Sequence, residues 1–133
     1  MTAALNADAI RRGATACLLI AAPAAVISRL LAGDDTSTDQ SNWVFVALLA
    51  IVLAYLIGGS VAGRLATDAP FVNGAAATFA AFVVVQVIGG LVRIVQGDGL
   101  SPIGIIFNGL LAATIGVVGA GIGIARASRR AAS

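Results

Sequence analysis

A chain of 133 residues that is 59% hydrophobic and only 11% charged lacks the polar shell a soluble domain of this length carries, about a quarter of whose residues are charged. Its balance excludes a water-facing globular domain and makes lipid the solvent for most of the surface. The net charge of +2 gives no footing for a nucleic-acid partner, because the arginines stand as topology signals at the ends of apolar runs.

The charged set is narrow: every cation is Arg and every acid is Asp, with no Lys, Glu or His. With the Ala and Gly load, this usage points to a GC-rich bacterial genome. Absence of His removes the usual general base and the commonest transition-metal ligand. The single cysteine, Cys17, excludes an intrachain disulfide and reads as a small buried hydrophobe.

Four apolar segments follow one another: 13–32, 43–63, 72–92 and 102–125. Each is close to the roughly 20 residues that cross a hydrocarbon core of about 30 Å. Backbone groups in lipid must be satisfied within the segment, so all four are expected to be helices. The predicted fold is all-α, a single transmembrane domain forming an integral membrane four-helix bundle.

The first segment has a rival reading. Arg11-Arg12, an apolar stretch and Ala22-Pro23-Ala24 resemble a secretory signal with a small-residue cleavage site. The apolar run continues through Val26, Ile27, Leu30 and Leu31, which favours a membrane helix bent at Pro23. A polar, acidic loop at 33–42 follows, closed by Trp43 at the membrane boundary.

The second segment ends in Gly58-Gly59-Ser60-Val61-Ala62-Gly63-Arg64. Gly59 and Gly63, four apart, lie on one helix face and let another backbone approach closely, with Arg64 as an anchor at the inner boundary. A short turn, 64–70, leads to the third segment, where Gly89-Gly90 and Gln86 stand out. The connection 97–102 ends in Pro102, suited to a helix first turn. In the fourth segment Ala112, Gly116 and Ala120 form one small-residue stripe, and Gly119 and Gly123 form a second. One stripe is available for packing within the bundle and the other for a second protein; the plainer alternative is that both are used inside the monomer.

Orientation follows from arginine. Arg11, Arg12, Arg64, Arg126, Arg129 and Arg130 fall on one side of a four-span chain; only Arg29 and Arg93 fall on the other, beside Asp34, Asp35, Asp39 and Asp98. Such asymmetry in short loops places both termini in the cytoplasm of a bacterial inner membrane. Arg29 and Arg93 are expected to snorkel outward to those acids, or to face an outer vestibule. Gln86 and Asn108 are expected either to hydrogen bond across helices or to line a polar path.

The chain also reads as two tandem helical hairpins. Arg29-Leu30-Leu31-Ala32-Gly33-Asp34 and Arg93-Ile94-Val95-Gln96-Gly97-Asp98 share Arg-x-x-x-Gly-Asp. A true duplication would relate the hairpins by an axis along the membrane normal; the alternative is chance similarity in a low-diversity sequence.

Gly58-Gly59-x-x-Ala62-Gly63-Arg64, with Pro70 and Asn73-Gly74-Ala75, resembles a family of small uncharacterised bacterial four-span membrane proteins. Its members end the second span in Gly-Gly-x-x-Ala-Gly-Arg and begin the third near Asn/His-Gly-Ala. The resemblance implies membrane location and no known activity, so it brings no catalytic residue. The chain has the size of small multidrug transporters but lacks the acidic residue their first span requires. The Asn-rich, aromatic pore pattern of small fluoride channels is not evident either.

Enzyme chemistry finds no footing: no catalytic residue, cofactor-binding motif or metal cluster is evident. Two readings remain. One is a non-enzymatic scaffold or accessory subunit that packs through Gly59, Gly63, Ala112, Gly116, Gly119 and Gly123 in a homo-oligomer or larger membrane complex. The other is a minimal small-solute transporter or channel lined by Gln86, Asn108, Arg29 and Arg93.

Overall fold

The computed structural model describes residues 4–31, 38–97 and 99–133; the side chains of 28–31, 38–41, 43 and 44 lie outside the description. The described residues form four helices: α1 (Ala7–Leu31), α2 (Thr38–Leu65), α3 (Pro70–Gln96) and α4 (Pro102–Ala131). Each contains a stretch long and apolar enough to cross a membrane. The protein is therefore a small multi-pass membrane protein built as a four-helix bundle.

Helix ends carry their own signals. Asn6 Oδ1 accepts from Ala9 N at 3.1 Å and caps α1. Pro70 and Pro102 open α3 and α4, where a missing N–H costs nothing. Ser101 Oγ accepts from Gly104 N at 3.3 Å and caps α4. Gly97 ends α3 at φ 79, a left-handed conformation that favours glycine, and its N–H reaches the Ile94 carbonyl at 3.1 Å.

Several boundaries differ from the sequence expectation. Residues 38–42 of the expected acidic loop belong to α2, and 33–37 lie outside the described residues. The second connection contracts to Ala66–Ala69, with Arg64 still helical and Pro70 already in α3. Arg126, Arg129 and Arg130 ride on α4 rather than on a tail. Hydropathy marks where the hydrocarbon ends, whereas a helix continues as far as its backbone bonds and caps allow.

α1 and α4 each pack on both α2 and α3, and α2 also packs on α3; α1 and α4 do not touch among the described residues. Going round the bundle, the order is α1, α2, α4, α3. Consecutive helices do form two packed hairpins, α1–α2 and α3–α4. An axis along the membrane normal that exchanged them would set α1 opposite α3 and α2 opposite α4. Here those pairs are neighbours, so the hairpins are not related by that axis.

Burial divides the bundle in two. The terminal half holds both chain ends and the α2–α3 turn, and it contains every buried residue described: Ala9 to Ala21 on α1, Ala54 to Ala66 across the end of α2, Asn73 to Phe82 on α3, and Gly109 to Gly123 on α4. The other half carries the α1–α2 and α3–α4 connections. There, no described residue in 22–27, 45–53, 83–97 or 99–108 is buried. Composition explains the division. Small residues let backbones meet in the terminal half, and the loop half is richer in Leu, Val, Ile and Phe.

Candidate functional site

The centre of the terminal half is a seam of glycines. A Cβ added to Gly59 would lie 2.8 Å from Gly116 Cα, and one added to Gly63 would lie 2.7 Å from Ala120 Cα. Both distances are shorter than real carbon contacts, so α2 and α4 meet backbone to backbone. Ala112 is fully buried in the same core. Gly119 and Gly123 face α2 as well: a Cβ on Gly119 would lie 3.0 Å from Leu56 Cα, and one on Gly123 3.0 Å from Ser60 Cα. α3 closes the third side, with the Gly74 carbonyl 2.6 Å from a Cβ placed on Gly116. Both small-residue stripes of α4 are thus occupied within the chain, and neither is left for a second protein.

The α1–α2 contact repeats the device. A Cβ on Gly13 would lie 2.6 Å from the Gly58 carbonyl, and one on Gly58 2.8 Å from Cys17 Cβ. Gly89 and Gly90, in the loop half, have open space or only Leu100 at 3.8 Å. Above the seam Cys17, Tyr55 and Phe82 contribute to the hydrophobic core, and the Phe79 and Phe82 rings, 6.2 Å apart, flank Gly109.

Polar groups within the spans turn back on their own helices. Asn108, on the exposed side of α4, donates through Nδ2 to Gly104 O at 2.9 Å rather than to a neighbouring helix. Thr78, fully buried, donates to the Gly74 and Ala75 carbonyls at 3.1 and 3.0 Å. Thr15 and Thr114 bond to Arg11 O and Leu110 O, each at 2.8 Å. Gln86 is half-buried in the loop half and makes no side-chain hydrogen bond among the described residues. Arg93 is exposed. The side chain of Arg29 lies outside the described residues, as do those of Asp34, Asp35, Asp39, Asp98 and Trp43. No hydrogen bond among the described residues joins Gln86, Asn108 and Arg93 to one another.

The most elaborate polar arrangement is one that the sequence reading missed. Asn73, in the first turn of α3, is fully buried, and both ends of its amide are used. Its Oδ1 accepts from Asn6 N at 2.7 Å, while Nδ2 donates to Ala4 O at 3.1 Å and Ala69 O at 2.8 Å. The amide therefore clamps the segment before α1 onto the α2–α3 turn. A cavity of about 330 Å³ lies beside the clamp, bordered by Ala4–Ala7, Ala66, Asp68 and Ala69. In sequence, Asn73 stands only as part of the Asn73-Gly74-Ala75 motif; two of its partners, Ala4 and Asn6, lie too far along the chain to be read from spacing.

The chain matches no protein-family model, curated protein or solved structure.

Proposed function

We propose that this protein is a non-enzymatic scaffold or accessory subunit of a bacterial inner membrane, with both termini cytoplasmic, that assembles with itself or with a larger membrane complex. The observation that carries this reading is the division of the bundle. The terminal half packs through the glycine seam, while no described residue of the loop half is buried, although Ile51 and Ile105 pack against the core. Exposed Leu49 at 49%, Val87 at 57% and Ile106 at 64% are surfaces another transmembrane helix can pack against. The partner face we assign is therefore the bulky loop half and not the small-residue stripes.

The arginine asymmetry supports the orientation, and the Gly-Gly-x-x-Ala-Gly-Arg motif supports kinship with small four-span bacterial proteins. The transporter reading draws on the unbonded Gln86 amide in the loop half, but a path through the chain would have to part the backbone contacts at Gly13, Gly59, Gly63 and Gly116.

Photocrosslinking in native membranes tests the assignment. Probes at Val87 and Ile106 should give discrete protein adducts, and probes at Phe71 and Val118 in the terminal half should give none. Only lipid adducts from all four positions would defeat the subunit reading.

A further inference from the structure

We infer that the outer groove between α2 and α4 binds an anionic glycerophospholipid, with its phosphate held by Arg64 and Arg126. The inference requires the membrane location alone and is independent of the subunit reading above.

The two helices run in the same direction, from the loop half to the terminal half, and the glycine contacts fix their register. Ser60 lies against Gly123, and Leu56 against Gly119, one turn earlier on both helices. Residues three, four and seven apart share a helix face. On α4, the face carrying Gly119 and Gly123 therefore continues into Arg126 and Arg130. On α2, the next turn after Ser60 is Arg64. The two helices deliver their guanidinium groups to the end of one seam.

Arg64 is bent towards that seam. Its Nε donates to Ser60 O at 3.4 Å, and the same carbonyl abuts Gly123 of α4. A side chain at position 123 would occupy the space beside this carbonyl, so glycine there keeps the approach open. Arg64, Arg126 and Arg130 are all exposed. None has a carboxylate partner among the described residues, although Asp8 and Asp68 lie at the same end of the bundle. A guanidinium offers a planar fork of donors matched to phosphate oxygens.

Depth and surface select a lipid over a free anion. α4 has 30 residues and is about 45 Å long at 1.5 Å per residue, against a hydrocarbon core of about 30 Å. Its arginine-bearing end therefore reaches the headgroup layer. Towards the bilayer centre from the arginines, one side of the seam is buried by the Gly59–Gly116 and Gly63–Ala120 contacts. Its other side is apolar and open: Ile57, on the Arg64 face of α2, and Val118 and Ile122, leading to Arg126 on α4, are 43%, 54% and 39% exposed. An acyl chain lying along this groove places its phosphodiester at Arg64 and Arg126.

The test is native mass spectrometry of the full chain released from detergent containing equal phosphatidylglycerol and phosphatidylcholine. Wild type should retain phosphatidylglycerol over phosphatidylcholine by roughly thirtyfold, the scale expected from two basic contacts near a headgroup. R64Q/R126Q should bring the ratio close to one. R11Q/R12Q, which removes the same charge from α1 at the same end, should keep the preference. Millimolar inorganic phosphate should not displace the bound lipid. The proposal is overturned if wild type shows no preference, if both double variants lose it equally, or if inorganic phosphate competes. Should R64Q/R126Q fail to fold, Val118→Trp fills the groove with both arginines intact and must itself abolish the preference.

Discussion

Gly116→Ala tests the seam with the smallest possible side chain. The new methyl group would sit 2.6 Å from the Gly74 carbonyl and 2.9 Å from Thr78 Cγ2, and it would collide with Thr78 Oγ1. Thr78 cannot swing away cheaply, because it is β-branched, fully buried and bonded to two carbonyls of its own helix. The other close neighbour is backbone, so α3 and α4 must separate by several tenths of an ångström, and the α2–α4 contact at Gly59 loosens with them. Overpacking of this kind costs roughly 1–3 kcal/mol, and backbone obstacles place this site near the upper end. Replacing a helical glycine by alanine returns at most about 1 kcal/mol. The expected net loss is therefore about 2 kcal/mol. Gly89→Ala is the matched control: nothing lies within 4 Å of its Cβ, so only the helix gain remains and stability should hold or rise by up to about 1 kcal/mol. The assay is reversible unfolding in mixed micelles, titrating sodium dodecyl sulfate and following circular dichroism and near-ultraviolet absorbance. Opposite signs for the two variants are expected. Equal stability of both variants and wild type would refute the argument that backbone contact holds the terminal half together.

Asn73→Ala removes three hydrogen bonds and should cost about 2 kcal/mol while releasing the segment before α1. Hydrogen exchange of the Asn6 amide should speed up markedly, and unchanged protection there would show that the clamp does not hold that segment. For topology, a cysteine at Ser37 on a Cys17-free background should react with an impermeant maleimide added outside intact cells, and one at Thr67 should not; the reverse pattern would invert the proposed orientation.

Hydropathy made the bundle legible because each span is an uninterrupted apolar run of nearly the thickness of hydrocarbon. The helix ends were less so. Thr38 to Asn42 are polar enough to read as loop, yet headgroup and water tolerate a polar helix as readily as a polar coil. Gly59, Gly63, Gly116 and Gly123 stood out by their four-residue spacing, but spacing does not say which helix each stripe meets. In the structure the two stripes of α4 both contact α2, and one of them also contacts α3. Asn73 was legible only as part of a motif: its role comes from burial and from Ala4 and Asn6, residues brought to it only by the packing of α1 on α3. Asn108 was conspicuous as an amide in a membrane span, yet an available carbonyl one turn back satisfies it locally.

The order of helices round the bundle has a consequence for biogenesis. A chain inserted from its N-terminus can close the α1–α2 hairpin as soon as α2 has entered the bilayer, since Gly13 and Gly58 lie on consecutive helices. The other glycine face of α2 meets α3 only in part, where the Gly59 carbonyl lies 3.3 Å from a Cβ placed on Gly74; the contacts of Gly59 with Gly116 and of Gly63 with Ala120 wait for α4. Until α4 arrives, α2 carries a partly open backbone face in the membrane, and Gly74 of α3 lacks its contacts with Gly116 and Ala120. The nascent protein thus passes through a stage in which part of its future centre is exposed to lipid, and its closure depends on the synthesis of α4.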